Sequence, residues 1–283
     1  MKLIAIDLDG TLLSKDGVIS EENIQAIHDA QKQGHVVTVC TGRCLIDVQH
    51  IVQKVGIECP MITGNGSVSY DGEKVIRNLA LAPGIVSELL SLVESHHCFY
   101  QVYTNKGTFI IQDGRERLAK EIDLQVAADP DFPAEWAQKE VDIEYAQHGL
   151  QPCAQFELDS DLEVSKVYVM SFDKQKVQQL QERLRDRTDI SLTSSGWTKL
   201  EIAHPDVSKG NGLLHMADYL DIPVEDTVAI GDHWNDLPMF EVAGMSIAMG
   251  NAEEEVKAIS THVTKTQSEN GVAHALREYV LQP

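Results

Sequence analysis

Lys2-Leu3-Ile4-Ala5-Ile6-Asp7-Leu8-Asp9-Gly10-Thr11 runs from an apolar stretch straight into two carboxylates one residue apart. The run from Lys2 to Ile6 reads as a buried strand, which puts the acidic pair at its C-terminal edge. Strand alternation points Asp7 and Asp9 the same way and turns Leu8 back into the core, while Gly10 lets the backbone swing off. Two like charges so placed repel by about 4 kcal/mol at ~4 Å and an effective dielectric of ~20, so the pattern calls for a cation or a proton between them.

Outward from this stretch, strand and helix signals alternate. Ser20 caps a helix carrying Ile24, Ile27 and Ala30, which ends at Gly34. Val36 to Cys40 reads as a second buried strand entering Thr41-Gly42-Arg43, followed by a helix with Leu45, Val48, Ile51, Val52 and Val55. A third strand, Met61 to Thr63, ends at Asn65-Gly66. This is the pattern of a parallel sheet built from crossover units. From about Ser67 it changes to hairpins, with Asp71-Gly72 and Asn105-Lys106-Gly107 as turns, and to helices at Ile85 to Val93 and around Val177, Leu180 and Leu184, an α+β insertion. Between Glu121 and Glu163 there are twelve acidic residues and one basic residue, so part of that stretch is expected to be irregular and solvated. The crossover pattern resumes near Leu200, with a helix carrying Leu213, Leu214, Ala217 and Leu220. The strand Thr227 to Ile230 then leads into Gly231-Asp232-His233-Trp234-Asn235-Asp236, and Met245 to Met249 into Gly250-Asn251.

At 283 residues with 43% apolar residues, the chain is long enough for two domains. Its net charge of -21 argues against nucleic acid or an anionic membrane as partner, since both require a basic face. No apolar run approaches the ~18 residues of a membrane span, and no signal peptide precedes the first strand. The five cysteines are odd in number and lack a C-x-x-C pair, which suits reduced core thiols and a cytoplasmic home. No feature sets an oligomeric state.

Polar or glycine-rich clusters follow at least five core strands, and open α/β sheets bind ligands at that edge. Asp7, Asp9 and Asp232 supply hard oxygen ligands, which suit Mg²⁺; without cysteine or histidine at these positions zinc is not favoured. Thr41 offers a hydroxyl and Gly42 an unobstructed amide for a phosphate oxygen. Lys209, before a helix, offers a positive charge that can neutralise both phosphate and nucleophile. The set describes phosphoryl transfer.

In order, D-x-D-G-T at residue 7, T-G-R at 41, S-K-G at 208 and G-D-x-x-N-D at 231 resemble the four motifs of the haloacid dehalogenase superfamily, specifically its Cof-type phosphatases. Met249-Gly250-Asn251-Ala252 is similar to that family's closing segment. The resemblance implies an α/β fold, with a Rossmann-like parallel-sheet core over residues 1–82 and 194–283 and an inserted α/β cap over 83–193. It implies that Asp7 is the nucleophile, forming an aspartyl-phosphate, and that Asp9 is the acid and later the base. Mg²⁺ is then held by the Asp7 carboxylate, the Asp9 carbonyl and the Asp232 carboxylate, with Asp236 behind them. Thr41, Gly42, Lys209, Asn235 and the Leu8 amide hold the phosphoryl group.

Arg43, Asn65 and Gly66 are possible substrate contacts, Asn65-Gly66 reading equally well as a plain turn. His233 stands where the family often has Asn or a small residue; an extra ligand or a pH-sensitive neighbour is conceivable there, and a loop residue is the expectation. Trp197 and Trp234 either line the cleft or fill the core, and the core is the expectation for both. The segment from Pro83 to Thr193 carries twenty acidic and eleven basic side chains, which disfavours a long polyanion and leaves small phosphorylated metabolites, such as sugar phosphates or phosphorylated cofactors. The alternatives are a phosphomutase, which retains the phosphoryl group, and a phospho-metabolite sensor that binds without turnover.

Overall fold

The computed structural model describes residues 1–194 and 196–281. Cα packing divides the chain into two units, Met1–Asn78 with Val207–Pro283, and Leu79–Asp206. The first unit begins with β1 (Leu3–Ile6), α1 (Glu21–Lys32), β2 (Val36–Cys40), α2 (Leu45–Lys54), β3 (Met61–Thr63), β4 (Val68–Tyr70) and β5 (Val75–Asn78). The second unit contains α3 (Pro83–Ser95), β6 (Phe99–Thr104), β7 (Gly107–Ile111), α4 (Gly114–Ala128), α5 (Ala134–Ala146) and β8 (Leu150–Cys153), then β9 (Val164–Met170), α6 (Lys174–Leu184), β10 (Ser191–Thr193) and β11 (Lys199–Ala203). The chain returns to the first unit with α7 (Lys209–Tyr219), β12 (Thr227–Gly231), α8 (Leu237–Val242), β13 (Met245–Ala248), α9 (Glu254–Ile259), β14 (His262–Val263) and α10 (Gly271–Ala275).

The first unit is an eight-stranded sheet in the order β14-β13-β12-β1-β2-β3-β4-β5, parallel except for the hairpin strands β4 and β5. β1 is central and buried along its whole length, as a strand covered by helices on both faces must be. One crossover from β1 leads to β2 on one side, while β12 pairs on the other, Leu3 facing both Val36 and Thr227. The strand order therefore reverses at β1, so the edge where open α/β sheets bind ligands lies at the C-terminal ends of β1, β2 and β12. Ser20 caps α1 through its side chain, as its position before Ile24 and Ile27 suggested.

The second unit is a six-stranded sheet in the order β10-β11-β9-β6-β7-β8, antiparallel except between β7 and β8. One sequence expectation changes here. Residues 199–203, read as the start of the resumed core, form β11 and pair antiparallel with β9 from Lys199–Met170 to Ala203–Lys166. The acidic stretch from Glu121 is irregular over 129–133 and 154–163, as expected of part of it, and forms the end of α4, all of α5 and β8. α5 was not expected because its inward set is only Ala137, Val141 and the carboxyl-bearing Glu144, too sparse for a visible apolar period.

All five thiols are free, with Cys40, Cys59 and Cys98 buried and Cys44 and Cys153 partly so. Among the described residues no helix is long and apolar enough to cross a membrane. Both tryptophans expected in the core lie at the surface. Trp234 is 44% exposed with its ring against His233, and Trp197 is 41% exposed with its ring against Trp136 and Lys174 Nζ 4.8 Å from its centre.

Candidate active site

The ladder between β1 and β12 continues one residue beyond the strand, where the Asp7 amide donates to the Ile230 carbonyl at 2.9 Å. The chain then coils instead of extending, with Leu12 N–H donating to Asp7 O at 3.2 Å and Leu13 N–H to Leu8 O at 2.8 Å. Strand alternation consequently stops at Asp7. The expectation that Asp7 and Asp9 face one way, as in an extended strand, is corrected: the two carboxylates have different partners.

Asp7 is buried, 4% exposed, and its Oδ1 accepts from Lys209 Nζ at 2.5 Å. The same ammonium donates to Asp236 Oδ1 at 2.5 Å, and Asp236 Oδ2 accepts the backbone N–H groups of Asp232 and His233 at 2.9 and 3.0 Å. Lys209 and Asp236 are both fully buried, which is tolerable because each charged atom has a partner. Burial drives the Asp7 carboxyl well above its ordinary pKa, Lys209 opposes that rise, and the charges of Asp236 and Asp232 add to it. Burial works against the Lys209 ammonium, but Asp236 and Asp7 keep its pKa above that of an ordinary lysine. Cys40, at the end of β2, is pushed up to about 12 by burial and stays a neutral thiol.

Asp232 faces this cluster from the end of β12. Its Oδ1 accepts from Thr11 Oγ1 at 2.8 Å, and Asn251 Nδ2 lies 3.4 Å from its Oδ2. Burial, then the neighbouring Asp236 charge, push its pKa up to about 7. Gly10 has φ +80°, and a Cβ on it would strike the Asp232 carboxylate, so a side chain is excluded at that position on both counts. Asp7, Asp232 and Asp236 each offer a carboxylate oxygen, all within 4.8 Å of one another. Three oxygen donors in a largely buried cluster, two with pKa values driven up by burial and by one another's charge, fit a hard divalent cation. The Asp9 carboxylate is outside this group, as is His233, which caps the short turn Trp234–Asp236.

The Asp9 side chain is 55% exposed and gripped at both oxygens by Arg43, Nε to Oδ2 at 2.7 Å and Nη2 to Oδ1 at 2.6 Å. Arg43 in turn donates through Nη1 to Asp47 Oδ2 at 2.8 Å, and Asp47 is buried in the first turn of α2. Burial opposes the guanidinium charge, but the bonds to Asp9 and Asp47 hold its pKa above the ordinary arginine value. Such a two-point fork fixes a carboxylate's orientation as well as its charge.

Thr41 is buried at the end of β2, its amide donating to Ile62 O and its carbonyl accepting from Asn65 N–H, both at 2.9 Å. Asn65, in the left-handed region at φ 57°, receives Asn235 Nδ2 on its Oδ1 at 3.2 Å, and that oxygen lies 3.1 Å from where a Cβ on Gly42 would stand. Thr41, Gly42, Asn65 and Asn235 thus form one linked group. Gly66 has φ +101°, and a Cβ there would run into the Ser208 carbonyl, just before α7. Its smallness lets α7 approach and carry Lys209 inward. Leu8 is buried beside Asp7. Three site residues were not singled out from sequence: Thr11, Asp47 and Asn251. An acid four residues after Arg43 at a helix start was the available signal for Asp47.

A family model described as haloacid dehalogenase-like hydrolase matches residues 4–276. Phosphatase YwpJ of Bacillus subtilis is 36% identical over 282 residues, covering 98% of this chain and 99% of the relative. The 5-amino-6-(5-phospho-D-ribitylamino)uracil phosphatase YwtE of the same organism is 38% identical over 277 residues, covering 97% and 96%. A solved haloacid dehalogenase-like hydrolase from B. subtilis superposes with a TM-score of 0.87 at 36% identity, covering 99% of this chain and 100% of that one.

Proposed function

Because the chain belongs to the haloacid dehalogenase-like hydrolases and is a phosphatase, we propose that it hydrolyses small phosphomonoesters, Mg²⁺-dependently, through an aspartyl-phosphate on Asp7. The observation that carries this reading is Asp7 itself, a buried carboxylate held on one oxygen by Lys209 at the reversal point of a parallel sheet. Lys209 opposes the rise that burial imposes on the Asp7 pKa and so favours the ionised form that a carboxylate nucleophile requires. The Asp7 oxygen forms a bond to phosphorus as the ester P–O bond breaks, and Asp9 gives a proton to the leaving oxygen. Water then attacks phosphorus, loses a proton to Asp9, and releases phosphate and a free Asp7 carboxylate.

Asp9 suits this two-sided role because it sits at the open side of the site, and Arg43 aims it. Arg43 stabilises the carboxylate form, the one that takes the proton from water. The linked group of Thr41, Gly42 and Asn235, with the Leu8 amide and Lys209, supplies donors for phosphoryl oxygens. The carboxylates of Asp7 and Asp232 and the Asp9 carbonyl would hold Mg²⁺, with Asp236 fixing Lys209 and the Asp232 backbone behind them. Bound there, the ion supplies positive charge against the phosphoryl oxygens.

The relative named for 5-amino-6-(5-phospho-D-ribitylamino)uracil acts on a phosphorylated polyol chain carried by a base, and a compound of that class is the first substrate to try, followed by sugar phosphates. Phosphate release from such a panel, with Mg²⁺ and with chelator, beside Asp7→Asn, tests the proposal. Metal-dependent release that vanishes in the variant supports it. Transfer of the phosphoryl group within the substrate without free phosphate would make the enzyme a mutase, and binding without turnover would make it a sensor.

A further inference from the structure

Asn251 follows β13 in a loop remote in sequence from every other member of the site, and its side chain is exposed. An exposed amide ordinarily points to water. This one uses both ends on the protein: Nδ2 donates to Gly10 O at 2.8 Å and reaches Asp232 Oδ2 at 3.4 Å, and Oδ1 accepts the Gln267 backbone N–H at 2.8 Å. The Gln267 bond fixes which end faces the site, since only an oxygen can accept it. Thr11 holds the other oxygen of Asp232, so the carboxylate is bracketed by a donor on each side. The Gly10 carbonyl belongs to the coil that carries Asp9, so one amide ties that coil, the Asp232 carboxylate and the 267 turn together.

We propose that Asn251 is a positioning residue for the cation site, fixing the Asp232 carboxylate in the orientation that a divalent ion shared with Asp7 requires. The proposal rests on the reading of Asp7 and Asp232 as metal ligands. Groups that orient a ligand from behind typically change metal affinity by about 10–100-fold when removed. A mere loop-fastening role for Asn251 would instead lower the stability of the metal-free protein and leave its affinity for the ion unchanged.

Calorimetric titration of Mg²⁺ into metal-stripped protein distinguishes the two, with Asn251→Ala set against Thr266→Ala. Thr266 Oγ1 donates to Glu269 at 2.6 Å and fastens the same 267 turn without touching Asp232. The expected result is that Asn251→Ala binds Mg²⁺ at least ~10-fold more weakly than wild type while Thr266→Ala stays within about twofold. Equal affinity in Asn251→Ala and wild type overturns the proposal, and so does an equal loss in both variants. Wild type that takes up no Mg²⁺ overturns the metal reading beneath it, a different result from either.

Discussion

The buried side of the site and its open side treat the same residue type in opposite ways. Asp7, inside, shares one ammonium with Asp236 and is raised in pKa by its surroundings; Asp9, two residues on and half exposed, is gripped at both oxygens by the Arg43 guanidinium, which also reaches Asp47. The difference comes from the coil that begins after Asp7, which separates side chains that a strand would have left parallel. In the proposed mechanism these separate counterions would let one carboxylate serve as nucleophile and the other exchange protons with solvent, a division of labour set by environment.

The comparison breaks most severely on its buried side. Asp7→Asn is expected to reduce phosphate release below ~10⁻⁴ of wild type, since no neighbouring group replaces the nucleophile. Lys209→Met leaves Asp7 and Asp236 as buried carboxylates without their cation; a loss of about 3–5 kcal/mol in denaturant unfolding is expected, with activity lost as well. On the open side, Arg43→Ala removes the two-point grip on Asp9 and one partner of buried Asp47. Steady-state assays should show a ~10–100-fold lower kcat, with Arg43→Lys recovering only part of it because an ammonium cannot grip both oxygens of Asp9.

A pH series sharpens the same contrast. The folded pKa of Asp232, about 7, exceeds its unfolded value, so the native state binds more protons and this group's contribution to stability is fully present below pH ~4 and lost as pH rises through about 7. Chelated wild type should therefore lose stability relative to Asp232→Asn across that window, by no more than about 1.4 kcal/mol per pH unit. Saturating Mg²⁺ should flatten the difference. The smallest effect belongs to Trp234→Ala, whose exposed ring should change unfolding free energy by less than ~0.5 kcal/mol.

What the sequence made legible follows the range of the forces involved. β1, β2 and β12 were readable because strands buried on both faces must be continuously apolar, and the polar residues ending them had to meet at one sheet edge. The convergence of Asp7, Lys209, Asp232 and Asp236 followed from that. The separation of Asp7 from Asp9 was not readable, since it depends on hydrogen bonds of Leu12 and Leu13 that only the folded coil makes. β11 was misplaced for a similar reason: Leu200 and Ile202 alternate in a way that suits either sheet, and the choice is made by pairing with Val169 and Val167 of β9, far back in the chain. Trp197 and Trp234 were misread because size and hydrophobicity favour the interior on average, whereas each lies on a surface turn against a neighbouring ring.

The division between nucleophile and proton carrier is tested most directly by trapping the covalent intermediate. Asp9→Asn should still be phosphorylated by an ester with a good leaving group, such as p-nitrophenyl phosphate, because that step then needs little acid assistance, yet should hydrolyse slowly for want of a base. Acid quench and peptide mass spectrometry should find one phosphoryl group on the Asp7 side chain in this variant, and none in Asp7→Asn. A phosphoryl group on any other residue, or a variant that turns over at the wild-type rate with no trapped species, would contradict the assignment.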